Sequence, residues 1–278
     1  MRFRRTFVVI AATIGLSASL LGTATAAPAA PRQQSYYLSL GDSLAFGYQP
    51  NLVATGDLNA TDYRGYAEDF AALRPRLTLV NYGCPGETTT SILNGGCPWT
   101  GTLHDSYGAA TSQAAAAEAF LRAHHGRVSL ISVTIGSNDL LGLVRSCGSD
   151  PNPTQCITNG LPATLATLGA NYSALLARVT ALAPTARIVL FNYYNPLALA
   201  VPGSDRFAAA ASNVVATLAT DPHTSVADAF RAINHSAGSP AEGAFVCALT
   251  WECTPFADVH PNDLGYGALT VAMLRAVL

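Results

Sequence analysis

A serine near the start of the chain and a histidine near its end have the surroundings of a catalytic pair. Ser43 follows an apolar, strand-like run at residues 36–40 and lies in a Gly-Asp-Ser-Leu turn at residues 41–44. A serine hydroxyl becomes a nucleophile when a neighbouring base removes its proton during attack. The Asp-Val-His sequence at residues 258–260 offers His260 as that base and Asp258 as a carboxylate to orient the imidazole. The two segments therefore predict a serine nucleophile with a histidine base.

Two segments between them contain groups that could stabilise an oxyanion. Gly86 lies in a loop after a strand-like run at residues 77–81, and a glycine lets the backbone bring an N–H group close to a ligand. Asn138 lies in the Gly-Ser-Asn-Asp sequence at residues 136–139, and its side-chain amide can donate from a fixed position. Taken alone, each segment is explained at least as well by an ordinary turn. The inference depends on their occurring together.

The four segments resemble, in composition and order, the motifs of the SGNH hydrolases, which are also called GDSL-type hydrolases. The resemblance extends from Tyr37 to the last predicted helix, so it covers nearly the whole chain beyond its N-terminal segment. It implies that Ser43 is the nucleophile and that His260 acts as general base and acid. It also implies an oxyanion hole made of the Ser43 N–H, the Gly86 N–H and the Asn138 side chain. The implied mechanism needs no metal and no cofactor.

The segment around His260 departs from the family pattern. The family usually places its aspartate three residues before the histidine, where this chain has Ala257, and Asp258 is only two residues before it. Either the Asp258 carboxylate reaches His260 Nδ1, or a main-chain carbonyl near Ala257 takes that role. Both would fix the imidazole tautomer, and a carboxylate would also stabilise the imidazolium. We favour Asp258.

The elements that must position these residues alternate between strand-like and helix-like segments. Continuous apolar runs, typical of parallel strands covered on both faces, occur at residues 36–40, 77–81, 128–135 and 187–191, with a weaker run at 224–226. Helix-like segments occur at about residues 65–73, 112–124, 162–182, 205–219 and 263–277. This alternation predicts an α/β fold: a three-layer doubly wound sheet of about five parallel strands, flavodoxin-like as in the SGNH hydrolases. Sites in such sheets form outside the carboxyl ends of the strands.

The N-terminal segment has the features of a secretory signal. A basic start at residues 1–5 precedes an apolar run to about residue 22 and an Ala-Thr-Ala sequence that ends at Ala26. We therefore expect cleavage near Ala26, and residues 27–278 to form one secreted hydrolase domain. No later run approaches the roughly 20 apolar residues that a membrane span requires, so stable membrane insertion is not expected.

The cysteines fit an exported protein. An even number of cysteines in a secreted chain usually forms disulfides. The six are Cys84, Cys97, Cys147, Cys156, Cys247 and Cys253. Six allow 15 connectivities, and their closeness in the sequence suggests the pairs 84–97, 147–156 and 247–253. A metal site is disfavoured because Cys-x-x-Cys spacing is lacking.

The balance of basic and acidic residues narrows the classes of molecule that the protein is expected to bind. All 15 basic residues are arginines, three of them in the predicted signal, and they face 17 acidic residues. A mildly acidic domain without a basic stripe is a poor candidate for nucleic-acid binding. We expect a monomer that acts on a small-molecule or lipid ester.

Several functions remain open within this pattern. An esterase or lipase acting on carboxylic esters is favoured over a carbohydrate acetyl esterase with the same site, and over a non-catalytic secreted binding protein. An α/β-hydrolase proper is set aside because Ala45 stands where its nucleophile elbow needs glycine, and because Ser43 follows the first strand. The loop at Cys84–Cys97, with Pro98 and Trp99, and the segment 142–160 are expected to shape an acyl pocket for chains of moderate to long length.

Overall fold

The computed structural model describes residues 35–201 and 203–278, and the predicted signal segment at residues 1–26 lies outside the described residues. Within the described ranges the strands are β1 (Ser35–Gly41), β2 (Leu77–Asn81), β3 (Val128–Thr134), β4 (Arg187–Phe191), β5 (Thr224–Ala227), β6 (Thr250–Trp251) and β7 (Asp258–Pro261). The α-helices are α1 (Ser43–Phe46), α2 (Pro50–Ala54), α3 (Tyr66–Ala72), α4 (Thr89–Asn94), α5 (Gln113–Ala123), α6 (Ser137–Ser146), α7 (Pro153–Leu182), α8 (Asp205–Leu218), α9 (Ala229–Ile233), α10 (Glu242–Leu249) and α11 (Asp263–Ala276). Short 3₁₀ turns occur at Ala60–Asp62 and Pro196–Ala198.

Five strands form one parallel sheet in the order β2-β1-β3-β4-β5. This is the flavodoxin-like doubly wound order, in which the chain reverses direction across the sheet between β1 and β3. The predicted α/β sheet of about five parallel strands is confirmed. Strands β6 and β7 form a separate antiparallel pair, which carries the segment around His260.

The two faces of the sheet pack against different helices. Leu38 and Leu40 of β1 join a core with residues of α4, α5, α7 and α8. Tyr37, the residue before Leu38, joins a second core with residues of α3, α9 and α11. Because successive side chains of a strand point to opposite faces, apolar residues at adjacent positions contribute to both cores. The result is three layers, with the carboxyl ends of the strands free to carry loops.

The long helix α7 begins earlier than its sequence pattern predicts. The apolar stripe indicates a helix over 162–182, whereas the structure extends it back to Pro153 and leaves Pro162 inside the helix. Proline lacks the N–H that would bond to the preceding turn, so it usually marks a helix start. Here a second proline, Pro153, occupies the first turn, and the Asn152 side chain accepts a hydrogen bond from the Gln155 N–H and caps the helix.

The cysteines form three disulfides, each of which closes a local loop. The bridges are Cys84–Cys97, Cys147–Cys156 and Cys247–Cys253. The second ties the end of α6 to the start of α7, and the third ties α10 to the turn that precedes β7. Among the helices described, none has both the length and the apolarity to cross a bilayer.

Candidate active site

Ser43 begins a short helix directly after β1. The backbone turns at Gly41, whose φ of +139° lies outside the range that residues with a side chain commonly adopt. A Cβ at Gly41 would also overlap the carbonyl of Thr134 in β3, so glycine is required there. The Asp42 carboxylate accepts a hydrogen bond from the Leu44 N–H at 3.0 Å and caps α1. The Gly-Asp-Ser turn thus places Ser43 at the carboxyl end of the central part of the sheet.

A continuous chain of hydrogen bonds joins Ser43 to the last loop. His260 Nε2 lies 2.7 Å from Ser43 Oγ, and His260 Nδ1 lies 2.6 Å from Asp258 Oδ1. The side chains of His260 and Asp258 are 19% and 25% exposed, so a substrate can reach the pair while most of their surface is covered. These distances allow the imidazole to take the Ser43 proton on one nitrogen while the carboxylate holds the other.

The loop geometry explains how an aspartate two residues before His260 reaches its ring. Ala257 has a φ of +44°, a left-handed conformation that is rare for a residue other than glycine. This turn directs the chain so that Asp258 Oδ1 accepts both the His260 backbone N–H, at 2.9 Å, and Nδ1. Of the two interpretations left open by the sequence, the structure therefore places the Asp258 carboxylate at Nδ1.

The electrostatics of Asp258 follow from these contacts. Partial burial by itself raises the pKa of Asp258, but the hydrogen bond from the His260 side chain, its charge and its backbone N–H together lower the pKa below the usual value. The carboxylate is thus held ionised beside the imidazole. An ionised partner favours the imidazolium that forms when His260 takes a proton.

Gly86 and Asn138 follow the two strands that flank β1. Gly86 has a φ of +85° and lies in a loop that is joined to the nucleophile turn by a hydrogen bond of 3.0 Å from the Cys84 N–H to the Gly41 carbonyl. Asn138 lies in the first turn of α6, and its Nδ2 donates to the Glu87 carbonyl at 2.9 Å. That bond fixes the amide and leaves its second proton available. Within residues 35–201 and 203–278, the Ser43 and Gly86 N–H groups have no hydrogen-bond acceptor.

A buried glutamine, Gln113, holds the backbone of the nucleophile turn at Gly41. Its side chain accepts from the Gly41 N–H at 2.6 Å and donates to the Gly41 carbonyl at 2.9 Å. It also lies 3.4 Å from the carboxylate of Glu87, the residue whose carbonyl holds Asn138. The sequence shows no signal for this role, because Gln113 is simply the first residue of α5.

Two buried carboxyls lie close to these loops. Burial raises the pKa of Asp42 to about 7, against the lowering effect of its bond to Leu44. Burial also raises the pKa of Glu87. Glu87 groups with Cys84 and Cys97 at a spacing that a metal could bridge, but both sulfurs are committed to a disulfide. A thiolate is the form that binds a metal, so this group does not fit one.

An apolar cavity of about 100 Å³ is lined in part by sequence neighbours of two site residues. It lies between α6, the segment that follows β4, and β7, and its apolar lining includes Leu140, Leu141, Val144, Leu197, Phe207 and Val259. Ser137, the neighbour of Asn138, also lines it, and Val259 stands between Asp258 and His260. Ser43, Gly86, Asn138 and His260 are not among its described lining residues, so the cavity is linked to the site through the residues next to Asn138 and His260 in the sequence.

The segments that the sequence suggests for an acyl pocket contribute little to the lining of this cavity. Of the segment 142–160, only Val144 reaches it among the described residues, and no residue of the Cys84–Cys97 loop lines it. Trp99 packs instead against Phe46, with ring centroids 5.4 Å apart. Trp99 joins a small core with Phe46 and Tyr63, and Pro98 lies close to Gly86, so the role of this loop in an acyl pocket stays a prediction.

Comparison with known proteins agrees with the geometry. The model of the GDSL-like Lipase/Acylhydrolase family matches residues 39–268, a span that includes Ser43, Gly86, Asn138, Asp258 and His260. The chain belongs to this family. No curated protein matches the sequence significantly. The resemblance to SGNH, or GDSL-type, hydrolases is thereby confirmed, and the family membership supports an ester hydrolase.

Solved structures of GDSL-type enzymes share the fold. An extracellular lipase from Streptomyces rimosus is 20% identical, with 87% of this chain and 99% of that chain covered and a TM-score of 0.56. Phospholipase A1 from Streptomyces albidoflavus is 18% identical, with 88% and 100% covered and a TM-score of 0.57. The acetylxylan esterase Axe2 from Geobacillus stearothermophilus is 19% identical, with 87% and 94% covered and a TM-score of 0.54. At these identities the likeness concerns the fold alone.

Proposed function

We propose that this GDSL-type hydrolase is a secreted serine esterase that cleaves carboxylic esters through an acyl-enzyme on Ser43. The observation that carries the proposal is the hydrogen-bonded chain from Ser43 Oγ through both nitrogens of His260 to Asp258. A non-catalytic binding protein with the same fold would not need Ser43, His260 and Asp258 to be hydrogen-bonded in this order. The distance from Ser43 Oγ to His260 Nε2 suits proton transfer, and the distance from His260 Nδ1 to Asp258 suits an orienting hydrogen bond.

The proposed reaction uses the side chains in sequence. His260 Nε2 removes the Ser43 proton as Oγ attacks the ester carbonyl, and Asp258 stabilises the resulting imidazolium. The oxyanion is held by the Ser43 and Gly86 N–H groups and by the second amide proton of Asn138. The alcohol leaves with the proton from His260, and water repeats the cycle on the acyl-enzyme. Every proton in this scheme is carried by a residue of the chain.

Secretion is supported by two features. Residues 1–26 have the pattern of a signal segment, and the six cysteines form three disulfides with none left free in the described residues. Disulfides persist outside the reducing cytoplasm. We propose that residues 27–278 act outside the cell as a single domain.

The apolar cavity lined by Ser137 and Val259, the sequence neighbours of Asn138 and His260, supports an acyl group longer than acetyl. Each methylene buried in an apolar cavity contributes about 0.8 kcal/mol, or roughly a four-fold gain in kcat/KM. On p-nitrophenyl esters from C2 to C16, we expect kcat/KM to rise from acetate to the chain that fills the cavity and then to level off. The highest kcat/KM on the acetate ester would instead favour the alternative function, that of a carbohydrate acetyl esterase. Failure to hydrolyse any ester of the panel would contradict the proposed function.

A variant that narrows the cavity tests its role. Leu141→Trp should lower kcat/KM for the longer esters about ten-fold or more, because the larger ring occupies the space of two or more methylenes, while acetate is hydrolysed almost as before. Leu73→Trp is the matched control, since Leu73 is 55% exposed at the end of α3 and lies outside the cavity lining. An unchanged chain-length profile in Leu141→Trp would show that the acyl group binds elsewhere.

Asn138 provides a test of the oxyanion hole. Asn138→Ala should lower kcat by about 10²–10³-fold with little change in KM, because the donor is needed only when negative charge develops on the carbonyl oxygen. Asn138→Asp should lose more, since it replaces the donor with a negative charge. Asn159→Ala, a change on the exposed surface of α7, controls for the substitution type. Near-full kcat in Asn138→Ala would remove Asn138 from the mechanism.

A further inference from the structure

The ring of Tyr48 lies against the ring of His260. Their centroids are 4.4 Å apart and their planes are inclined by 44°. The Tyr48 ring also contacts two further aromatic rings. Trp99 packs edge-on against it with the ring centroids 6.1 Å apart, and the centroid of the Tyr63 ring lies 6.4 Å from that of Tyr48. This is an aromatic contact on a side chain that must keep one orientation while it gains and loses a proton.

The backbone of Tyr48 is fastened to the nucleophile. Its N–H donates to the Ser43 carbonyl at 3.0 Å, and its own carbonyl accepts from the Tyr266 hydroxyl at 3.0 Å. Gly47, the preceding residue, has a φ of +79° and packs so closely on the backbone of Gly65 that a Cβ would overlap it. One residue therefore connects Ser43, through its main chain, with His260, through its ring. The angle between nucleophile and base depends on this connection.

The contact has a chemical consequence as well as a steric one. The face of an aromatic ring carries partial negative charge and attracts a cation whose centre lies within about 6 Å. His260 becomes an imidazolium each time it takes the Ser43 proton, and a ring at 4.4 Å then stabilises it. The ring also covers one face of the imidazole against water, which keeps Nε2 directed at Ser43.

We propose that Tyr48 is a positioning residue for His260, acting through its ring rather than its hydroxyl. The inference rests on the proposed function, since it concerns the base of the same reaction. The ring holds the imidazole at hydrogen-bonding distance from Ser43 and favours its protonated form during each proton transfer. Asp258 fixes the edge of the imidazole at Nδ1, and Tyr48 fixes its face.

The test compares variants that keep or remove the ring. Tyr48→Met fills much of the space without an aromatic face, and Tyr48→Leu serves if the first variant does not fold. Tyr48→Phe keeps the ring and removes the hydroxyl. Phe120→Leu is the matched control, because Phe120 stacks at 4.1 Å on His124, a histidine at the far end of α5.

The first readout is the rate at which a small fluorophosphonate labels Ser43, which reports the nucleophile and base without using the acyl cavity. We expect Tyr48→Met to slow labelling about ten-fold, as the strength of a partly buried cation–π contact implies. Tyr48→Phe should stay within about two-fold of wild type, and Phe120→Leu should match wild type. The imidazole C–H resonances of His260 should shift in Tyr48→Met and not in Tyr48→Phe, because only the former loses the ring current.

Two results would overturn the inference. Wild-type labelling in folded Tyr48→Met or Tyr48→Leu would show that the ring is not needed, and equal slowing in Tyr48→Met and Tyr48→Phe would assign the effect to the hydroxyl. Failure of the proposed function looks different, since the wild-type protein itself would then not be labelled at Ser43.

Discussion

Replacement of Ser43 by Ala is expected to abolish covalent labelling by a fluorophosphonate and to lower ester turnover by on the order of 10⁶-fold. The size of the effect follows from the mechanism: without Oγ there is no acyl-enzyme, and His260 has no serine proton to remove. Residual hydrolysis should come from water held near the oxyanion donors. Because Ser43 is only 6% exposed and its side chain is small, the variant should fold like the wild type.

The measurement is made on the purified protein with the best ester of the p-nitrophenyl panel, together with mass spectrometry of the labelled peptide. Ser173→Ala, a serine-to-alanine change on the exposed surface of α7, is the matched control and should retain full labelling and turnover. If Ser43→Ala still carried the label, the nucleophile would be another residue. If it kept turnover within ten-fold of wild type, no acyl-enzyme on Ser43 would lie on the pathway.

The strands of the sheet could be predicted from the sequence because helices cover both faces of the sheet. A parallel strand covered on both faces must be apolar at nearly every position, and the runs at 77–81 and 187–191 coincide with β2 and β4. The ends of the helices are harder to predict, since they depend on capping residues and on contacts with neighbouring elements. Asp42, for example, starts α1 at Ser43 itself, a helix of four residues that no periodic pattern could indicate.

The candidate site was predictable where it depends on short motifs, and not where it depends on distant contacts. Ser43, Gly86 and Asn138 each follow a strand, so the topology brings them to one edge of the sheet. The hydrogen bonds between Gln113 and Gly41 join residues that are 72 positions apart, and no local sequence pattern indicates them. The cavity likewise combines α6, the segment after β4, and Val259. Such surfaces exist only once the elements have packed.

The role of Asp258 was left open by the sequence for a similar reason. Spacing alone suggests a poor match to the family pattern, and the left-handed turn at Ala257 is not visible in an alanine. A side chain there disfavours this conformation by roughly 1–2 kcal/mol, so the surrounding contacts must maintain it. The Ala257 N–H donates to the Thr254 carbonyl at 3.0 Å, and the Cys247–Cys253 bridge closes the turn beside it.

Replacement of Asp258 by Asn is expected to lower kcat/KM by about 10⁴-fold. An amide can still meet His260 Nδ1, but it favours the wrong tautomer and cannot stabilise the imidazolium. Asp258→Ala should lose a similar amount. Glu252→Gln is the matched control, because it removes a neighbouring carboxylate, whose pKa burial and the charge of Asp258 raise, and it should change turnover little.

The two interpretations of the His260 partner predict opposite results. If a main-chain carbonyl near Ala257 oriented the imidazole, Asp258→Ala would keep turnover within a few-fold of wild type, and the carboxylate assignment would fail. Stability provides an independent check. Because the pKa of Asp258 is lowered in the folded chain, its contribution is present above the unfolded value of about 4 and is lost as the pH falls through the folded value. The difference in unfolding free energy between wild type and Asp258→Asn should therefore be constant near neutral pH and shrink in acid.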